Sequence, residues 1–276
     1  MFPIEIDINR ENINKRIAKR KIRQFPTGIK LFTNHNGLRR NKMHLLVAPT
    51  GVGKSTFVRT MVIDFIEHNP EMKVLLWLTE ETREDFEDEF AFGISEKVLN
   101  SSDNLKIISE QSMSMNESSE DVYKYVDEIV EHYDYDLVIV DNLTTSKLYL
   151  GATPKEQEKA AAWLKSLCKK DLALFVIAHA GGSVQENSSK LLDENDIRGN
   201  KTLPNLVEFL YILQPFYVGN RLFQFLITKK HRGQPIHSKY IGVKYDKETS
   251  TFKESAFVDF EELSRVFRLR NKLTEK

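Results

Sequence analysis

The densest chemistry in this 276-residue chain is the run Ala48-Pro49-Thr50-Gly51-Val52-Gly53-Lys54-Ser55-Thr56. Two glycines free the backbone to close around an anion, and a lysine and two hydroxyls follow at once. In a strand-to-helix turn such a loop aims its N–H groups at phosphate oxygens. Lys54 then reaches the β- and γ-phosphates of ATP, and Ser55 offers its hydroxyl to Mg²⁺. The strict pattern has glycine at the first position, where this chain has Ala48. Hydrolysis needs two further groups, a carboxylate on the metal side and a base for water. Asp141 closes the apolar run Leu137–Val140, which places it at the C-terminal edge of a sheet, where it would hold Mg²⁺ through water. Glu80 follows the run Val74–Leu78 and is placed to orient the attacking water, with Glu81 as its rival. His179 follows Leu174–Ala178 and is placed to sense the γ-phosphate by a hydrogen bond.

These residues require a scaffold of strands that end on one edge. Short apolar runs alternate with longer periodic segments, the pattern of a mostly parallel sheet flanked by helices. The predicted strands are His44–Ala48, Val74–Leu78, Leu105–Ile108, Leu137–Val140 and Leu174–Ala178. The predicted helices are Lys54–His68, Asp85–Phe92, Glu120–His132 and Pro154–Lys170, with Pro154 in the first turn. Beyond Ala178 a polar stretch leads to alternating aromatic runs. Phe209–Leu213, Leu222–Thr228, Lys239–Tyr245 and Thr251–Glu254 read as antiparallel strands, joined through Gln214–Asn220 and Lys229–Pro235. The organisation is a basic arm or linker helix over 1–25, one α/β domain over 26–258 and a helical tail over 259–276.

Lys+Arg and Asp+Glu are both 40, so net charge gives no reason to expect a polyanionic partner. The charges are segregated, however. Residues 10–23 carry seven cations against Glu11, and the stretch from Glu71 to Asp136 is acidic. The longest apolar run, Leu172–Ala178, is too short to cross a bilayer, and the N-terminus lacks the apolar core of a secretory signal. Cys168 is the only cysteine, which excludes an intrachain disulfide and suits a reducing cytoplasm.

The placement of these motifs resembles the RecA-like ATPase domain of the DnaB family of hexameric replicative helicases. The likeness spans about Phe25 to Glu254 and includes the lead-in Phe25-Pro26-Thr27-Gly28-Ile29 with Gly37-Leu38. The family tolerates Ala48. Leu78-Thr79-Glu80-Glu81 is similar to its segment bearing the catalytic glutamate, which selects Glu80, and Leu137–Asp141 matches its metal-side strand. Where the family usually has glutamine after the next strand, this chain has His179. Asp196-Ile197-Arg198-Gly199-Asn200-Lys201 looks like the loop that grips single-stranded DNA in the central channel, so the resemblance gives Arg198, Gly199 and Lys201 phosphate contacts. Thr228-Lys229-Lys230-His231-Arg232-Gly233 resembles the hairpin that reaches a neighbour's γ-phosphate. The family's finger arginine falls on His231, leaving Lys229, His231 and Arg232 as candidates.

The expectation is therefore a RecA-like ATPase that uses ATP and Mg²⁺, forms a homo-oligomeric ring, most simply a hexamer, and moves along single-stranded DNA, with replication proteins as further partners. Two alternatives stand beside it. One is a recombination or annealing ATPase of the wider superfamily; the other is a regulatory ATPase that acts on a protein partner.

Overall fold

A computed structural model describes residues 24–33, 37–91, 104–113, 118–181, 192–193, 196–197, 202–218, 221–231, 240–258 and 265. The basic arm up to residue 23, Arg198, Gly199, Lys201, Arg232 and the tail after Val258, apart from residue 265, lie outside the described residues.

Two short strands, β1 (Gln24–Phe25) and β2 (Leu38–Arg39), pair with each other ahead of the main sheet. The strands that follow are β3 (Met43–Ala48), β4 (Val74–Leu78), β5 (Leu105–Ser109), β6 (Leu137–Asp141) and β7 (Ala173–His179). The last four are β8 (Phe209–Val218), β9 (Arg221–His231), β10 (Tyr240–Asp246) and β11 (Thr251–Val258). They form one nine-stranded sheet in the order β11-β10-β9-β8-β3-β7-β6-β4-β5. The half from β8 to β5 is parallel and the C-terminal half is antiparallel, so the chain has the α/β architecture expected, a parallel sheet with an antiparallel extension.

Among the described residues, four helices of nine or more residues cover the faces: α1 (Lys54–His68), α2 (Arg83–Ala91), α3 (Ser119–Tyr133) and α4 (Pro154–Leu167). Successive strand residues point to opposite faces, so each central strand feeds two cores. Met43, Leu45 and Val47 of β3 pack with Val122 and Val126 of α3 and Leu164 of α4. Leu46 and Ala48 pack with Phe57, Met61 and Phe65 of α1 and Phe86 of α2. Two of the helices begin with reciprocal capping: Ser118 with Asp121 opens α3, and Thr153 with Glu156 opens α4, with Pro154 next to the cap.

Most predicted boundaries shift by a few residues, and two predicted connections prove to be strand. The segment expected as a connection from Gln214 continues β8 as far as Val218, pairing with β9 through Gln214↔Phe225 and Pro215↔Gln224. Gln214 reads as a turn residue, yet it is buried, and its side-chain oxygen Oε1 accepts the N–H of Leu192 at 2.7 Å, a partner that local sequence cannot display. Lys229 and Lys230, expected in a connection, lie in β9, and Lys230 donates to the carbonyl of Pro204 at 2.9 Å. β8 also enters the sheet parallel to β3, with His44↔Phe209 in register, and only its far side is antiparallel.

Candidate active site

Strand register assembles the site. In β3 and β7 Ala48 is level with His179, and in β4 and β6 Leu78 is level with Asp141. The residues that follow therefore emerge together on the C-terminal edge, where open α/β sheets present ligands.

The phosphate loop leaves β3 at Ala48 and enters α1 at Lys54. Gly51 has φ +79° and Gly53 has φ +84°, left-handed values that a side chain resists. Gly51 is exposed and an added Cβ there would meet nothing within 4 Å, whereas at Gly53 it would come within 2.8 Å of the Phe252 ring. Gly53 caps α1 without any side-chain bond. The first N–H groups of the helix are thus left to an anion, and the helix dipole favours one there. Ser55 and Thr56 lie partly exposed in the first turn. Lys54 is buried and donates to the carbonyl of Pro49 at 3.0 Å. Burial pulls its ammonium below the ordinary lysine range, against the pull of Asp141 and Glu80.

The antiparallel half of the sheet holds this loop from behind. Gln224 of β9 is buried and donates its amide to the carbonyl of Val52, and the N–H of Phe252 in β11 donates to Thr60 of α1 at 2.8 Å. Sequence reading missed both. Alternation in β9 showed that one face is buried, but nothing local marked Gln224 as reaching a loop 172 residues away.

Asp141 is 6% exposed, and burial pushes its carboxyl up to about 7. Glu81 and Glu80 add to the rise, while Lys54 and Arg59 oppose it. A carboxyl so placed is poised for a cation, whose charge would reverse the cost of ionising it. Arg59 of α1 is itself buried, ion-paired to Glu89 of α2 and bonded to Thr56 at 3.4 Å. Beside a helix N-terminus that no side chain caps, the oxygen donors of the Ser55 hydroxyl and the Asp141 carboxylate fit a hard cation such as Mg²⁺ carried on a phosphate chain.

Glu80, Asn142, His179 and Thr50 form one chain of contacts. His179 Nδ1 lies 3.1 Å from Thr50 Oγ1, and its Nε2 lies 3.2 Å from Glu80 Oε1 and 3.0 Å from Asn142 Nδ2. Burial would raise the Glu80 carboxyl, but bonds to His179 and Asn142, with charge from Lys54, hold it below the usual range. Glu81 reaches Asp141 electrostatically, and its backbone carbonyl accepts Ser109 Oγ at 2.8 Å. Lys54, Glu80, Asp141 and His179 thus lie near one another at the C-terminal edge of the sheet. Asn142 was missed; its one sequence signal was its place directly after Asp141. Behind it, Thr79 Oγ1 donates to the Asn142 carbonyl at 2.8 Å and accepts the Asn142 N–H at 2.9 Å, and the peptide between Asp141 and Asn142 is cis. Lys229 lies on β9, two strands from β3, at a register shift opposite Leu210 and Tyr211.

Compared with known proteins, residues 31–183 match the model of a family described as an AAA domain. No curated protein matches the chain. Among solved structures, the KaiC-like protein of the hyperthermophilic archaeon Pyrococcus horikoshii superposes with a TM-score of 0.66 at 17% identity, over 85% of this chain and 99% of that one. That likeness is one of fold, a RecA-like parallel sheet with helices on both faces.

Proposed function

The chain belongs to the AAA-domain family whose model spans more than half of it, a P-loop ATPase family, and from that premise we propose that it is a ring-forming, ATP-dependent DNA helicase or translocase. In this reading Lys54 and the loop amides bind the β- and γ-phosphates of ATP between neighbouring subunits. Glu80 accepts a proton from the attacking water while its carboxylate is held ionised, and His179 reads the γ-phosphate end. Mg²⁺ held through Ser55 and Asp141 would neutralise charge on the phosphates. A cation from the Lys229–Arg232 segment of the next subunit, from Lys229, His231 or Arg232, would stabilise the charge that develops in transfer.

The observation that carries the DNA reading is an anchor point. Ala180, next to His179, forms an antiparallel bridge with Ile197, and the N–H of Gly181 donates to the Asp196 carbonyl at 2.5 Å. The segment Arg198-Gly199-Asn200-Lys201 therefore starts one residue from a bridge tied to the γ-phosphate side of the site. A loop that grips a nucleic-acid backbone at that point would move with the state of the nucleotide. Arg198 and Lys201 suit phosphate contacts without base readout.

The test is ATP hydrolysis by the purified protein with and without single-stranded DNA across a salt series, with Lys54→Ala as the blank. Salt-sensitive stimulation that is lost in Arg198→Ala and Lys201→Ala supports the motor. Turnover that DNA does not stimulate and that these substitutions do not change rejects it in favour of an ATPase that regulates a protein partner. Strand-displacement assays and ring closure by native mass spectrometry then separate a hexameric helicase from a filament-forming recombination or annealing ATPase.

A further inference from the structure

We propose that the β5 edge of the sheet takes the N-terminal segment Ile4–Ile8 of the same chain as a further strand, seated in the groove between β5 and α3.

The edge calls for an extended partner. β5 ends the sheet order and, among the described residues, pairs only with β4. An edge strand turns a row of N–H and C=O groups outward, and only water or another strand satisfies such a row. β4, β6 and β7 are buried along their whole length, whereas Leu105, Ile107 and Ile108 of β5 are only partly covered. Ile108 packs with the core on the α3 side and Ile107 with the core on the α1 side, so apolar packing stops short on both faces. Beside this strand lies a cavity of about 590 Å³. Its α3 wall is a stripe at helical spacing from Asp121 to Glu128, in which Tyr125 is 43% exposed, and Met113 also lines it. Its charges balance, Arg83 and Lys124 against Asp121 and Glu128, so it does not favour a polyanion. The apolar surface of Ile108, Met113 and Tyr125 suits aliphatic side chains.

The chain carries a segment that fits. Ile4-Glu5-Ile6-Asp7-Ile8 alternates strictly, with three β-branched side chains on one side and two acids on the other. That pattern has an apolar face only as a strand; a helix would scatter the isoleucines around its circumference. The segment has five residues, as β5 does, and Pro3 stands just before it, where a strand tolerates proline. Set against Ile108, Met113 and Tyr125, the isoleucines extend the apolar face and leave the acids to solvent.

The path of the backbone assigns the segment to its own chain. The Pro26 carbonyl accepts Asn69 Nδ2 at 2.9 Å, and the carbonyl of the next residue, Pro70, accepts Asn104 Nδ2 at 2.9 Å, immediately before β5. The arm therefore joins the fold beside the start of the edge strand. Residues 9–23 form the link. Even wound as a helix they span roughly 22 Å, against about 17 Å for the whole length of β5, so the segment reaches.

The experiment is hydrogen exchange of the full chain read by mass spectrometry. Successive N–H groups of a strand point to opposite sides, so one of Ile6→Pro and Asp7→Pro must remove a bond to β5. The peptide covering Leu105–Ser109 should exchange slowly in the wild type and about tenfold or more faster in one of the two variants, with peptides of α1 unchanged. A photo-crosslinker on Glu5→Cys then separates own chain from neighbour, since Cys168 is buried and stays unlabelled. In an equilibrated equal mixture of ¹⁵N-labelled and unlabelled protein, links to β5 or to the α3 stripe should carry one isotope only. Mixed-isotope links place the segment on a second copy and overturn the proposal, as do links that miss the groove. Fast exchange of β5 in the wild type, or slow exchange in both proline variants, overturns it too. None of these readouts involves nucleotide, so failure here leaves the ATPase reading untouched.

Discussion

Replacing Asp141 by asparagine should make the nucleotide-free protein more stable, and increasingly so as pH rises. The carboxyl is almost wholly buried and pushed up to about 7, against an ordinary value of 3.8. An acid whose folded value is raised binds more protons folded than unfolded. Its stabilising contribution is complete below 3.8 and is lost as pH rises through about 7. Over the whole window that loss is about 4 kcal/mol at roughly 1.4 kcal/mol per unit. About half of it, ~2 kcal/mol, falls between about pH 5.5 and about pH 8. The wild type alone reveals the sign: its stability curve should slope down across that range, and Asp141→Asn should flatten it. For a chain of this size ~2 kcal/mol corresponds to roughly 4 °C in Tm. The assay is thermal unfolding of both proteins in chelator across the pH range, repeated with Mg²⁺ and ATP. The wild type should gain stability from Mg²⁺ and ATP, and the variant should gain much less. A Tm difference that is the same at every pH would refute the argument, since it would mean that the site does not penalise the charge of Asp141.

Other outcomes follow from the same geometry. Glu80→Gln should lower kcat by about 100-fold or more, the scale of a lost general base, whereas Glu81→Gln should retain most turnover; steady-state ATPase assays of the two decide which carboxylate serves. Gln224→Leu removes the amide that holds the Val52 carbonyl, and a bond worth about 1 kcal/mol should weaken ATP binding about fivefold in calorimetry. Burial also raises Asp64 to about 6, against the opposing effects of His68 and the Gly28 and Ile29 amides. Its stabilising contribution is likewise lost as pH rises from 3.8 through about 6, so Asp64→Asn should flatten the stability curve there by about 3 kcal/mol, read from urea unfolding. Gly53→Ala should lose nucleotide binding, because φ +84° and the Phe252 ring both oppose a side chain at the turn into α1.

Much of this protein was legible in the chain itself because the signals are local. Lys54–His68 is a helix at the boundaries its periodicity predicts, and Val74–Leu78 is a strand as read. Glycine, lysine and serine at fixed spacing specify a phosphate loop wherever a strand runs into a helix, and acids at strand ends specify which edge carries the chemistry. What the chain could not display was register and long-range pairing. That His179 lies level with Ala48, that Asn142 meets both His179 and Glu80, and that Gln224 and Phe252 brace the loop all follow from how nine strands are ordered. Gln214 shows why: its polarity marks it for a turn, and only a partner from a distant segment makes its burial tolerable. Residue type and spacing determined which groups could act on a phosphate; the sheet decided which of them meet, because hydrogen-bond partners of buried polar groups are chosen in space and not along the chain.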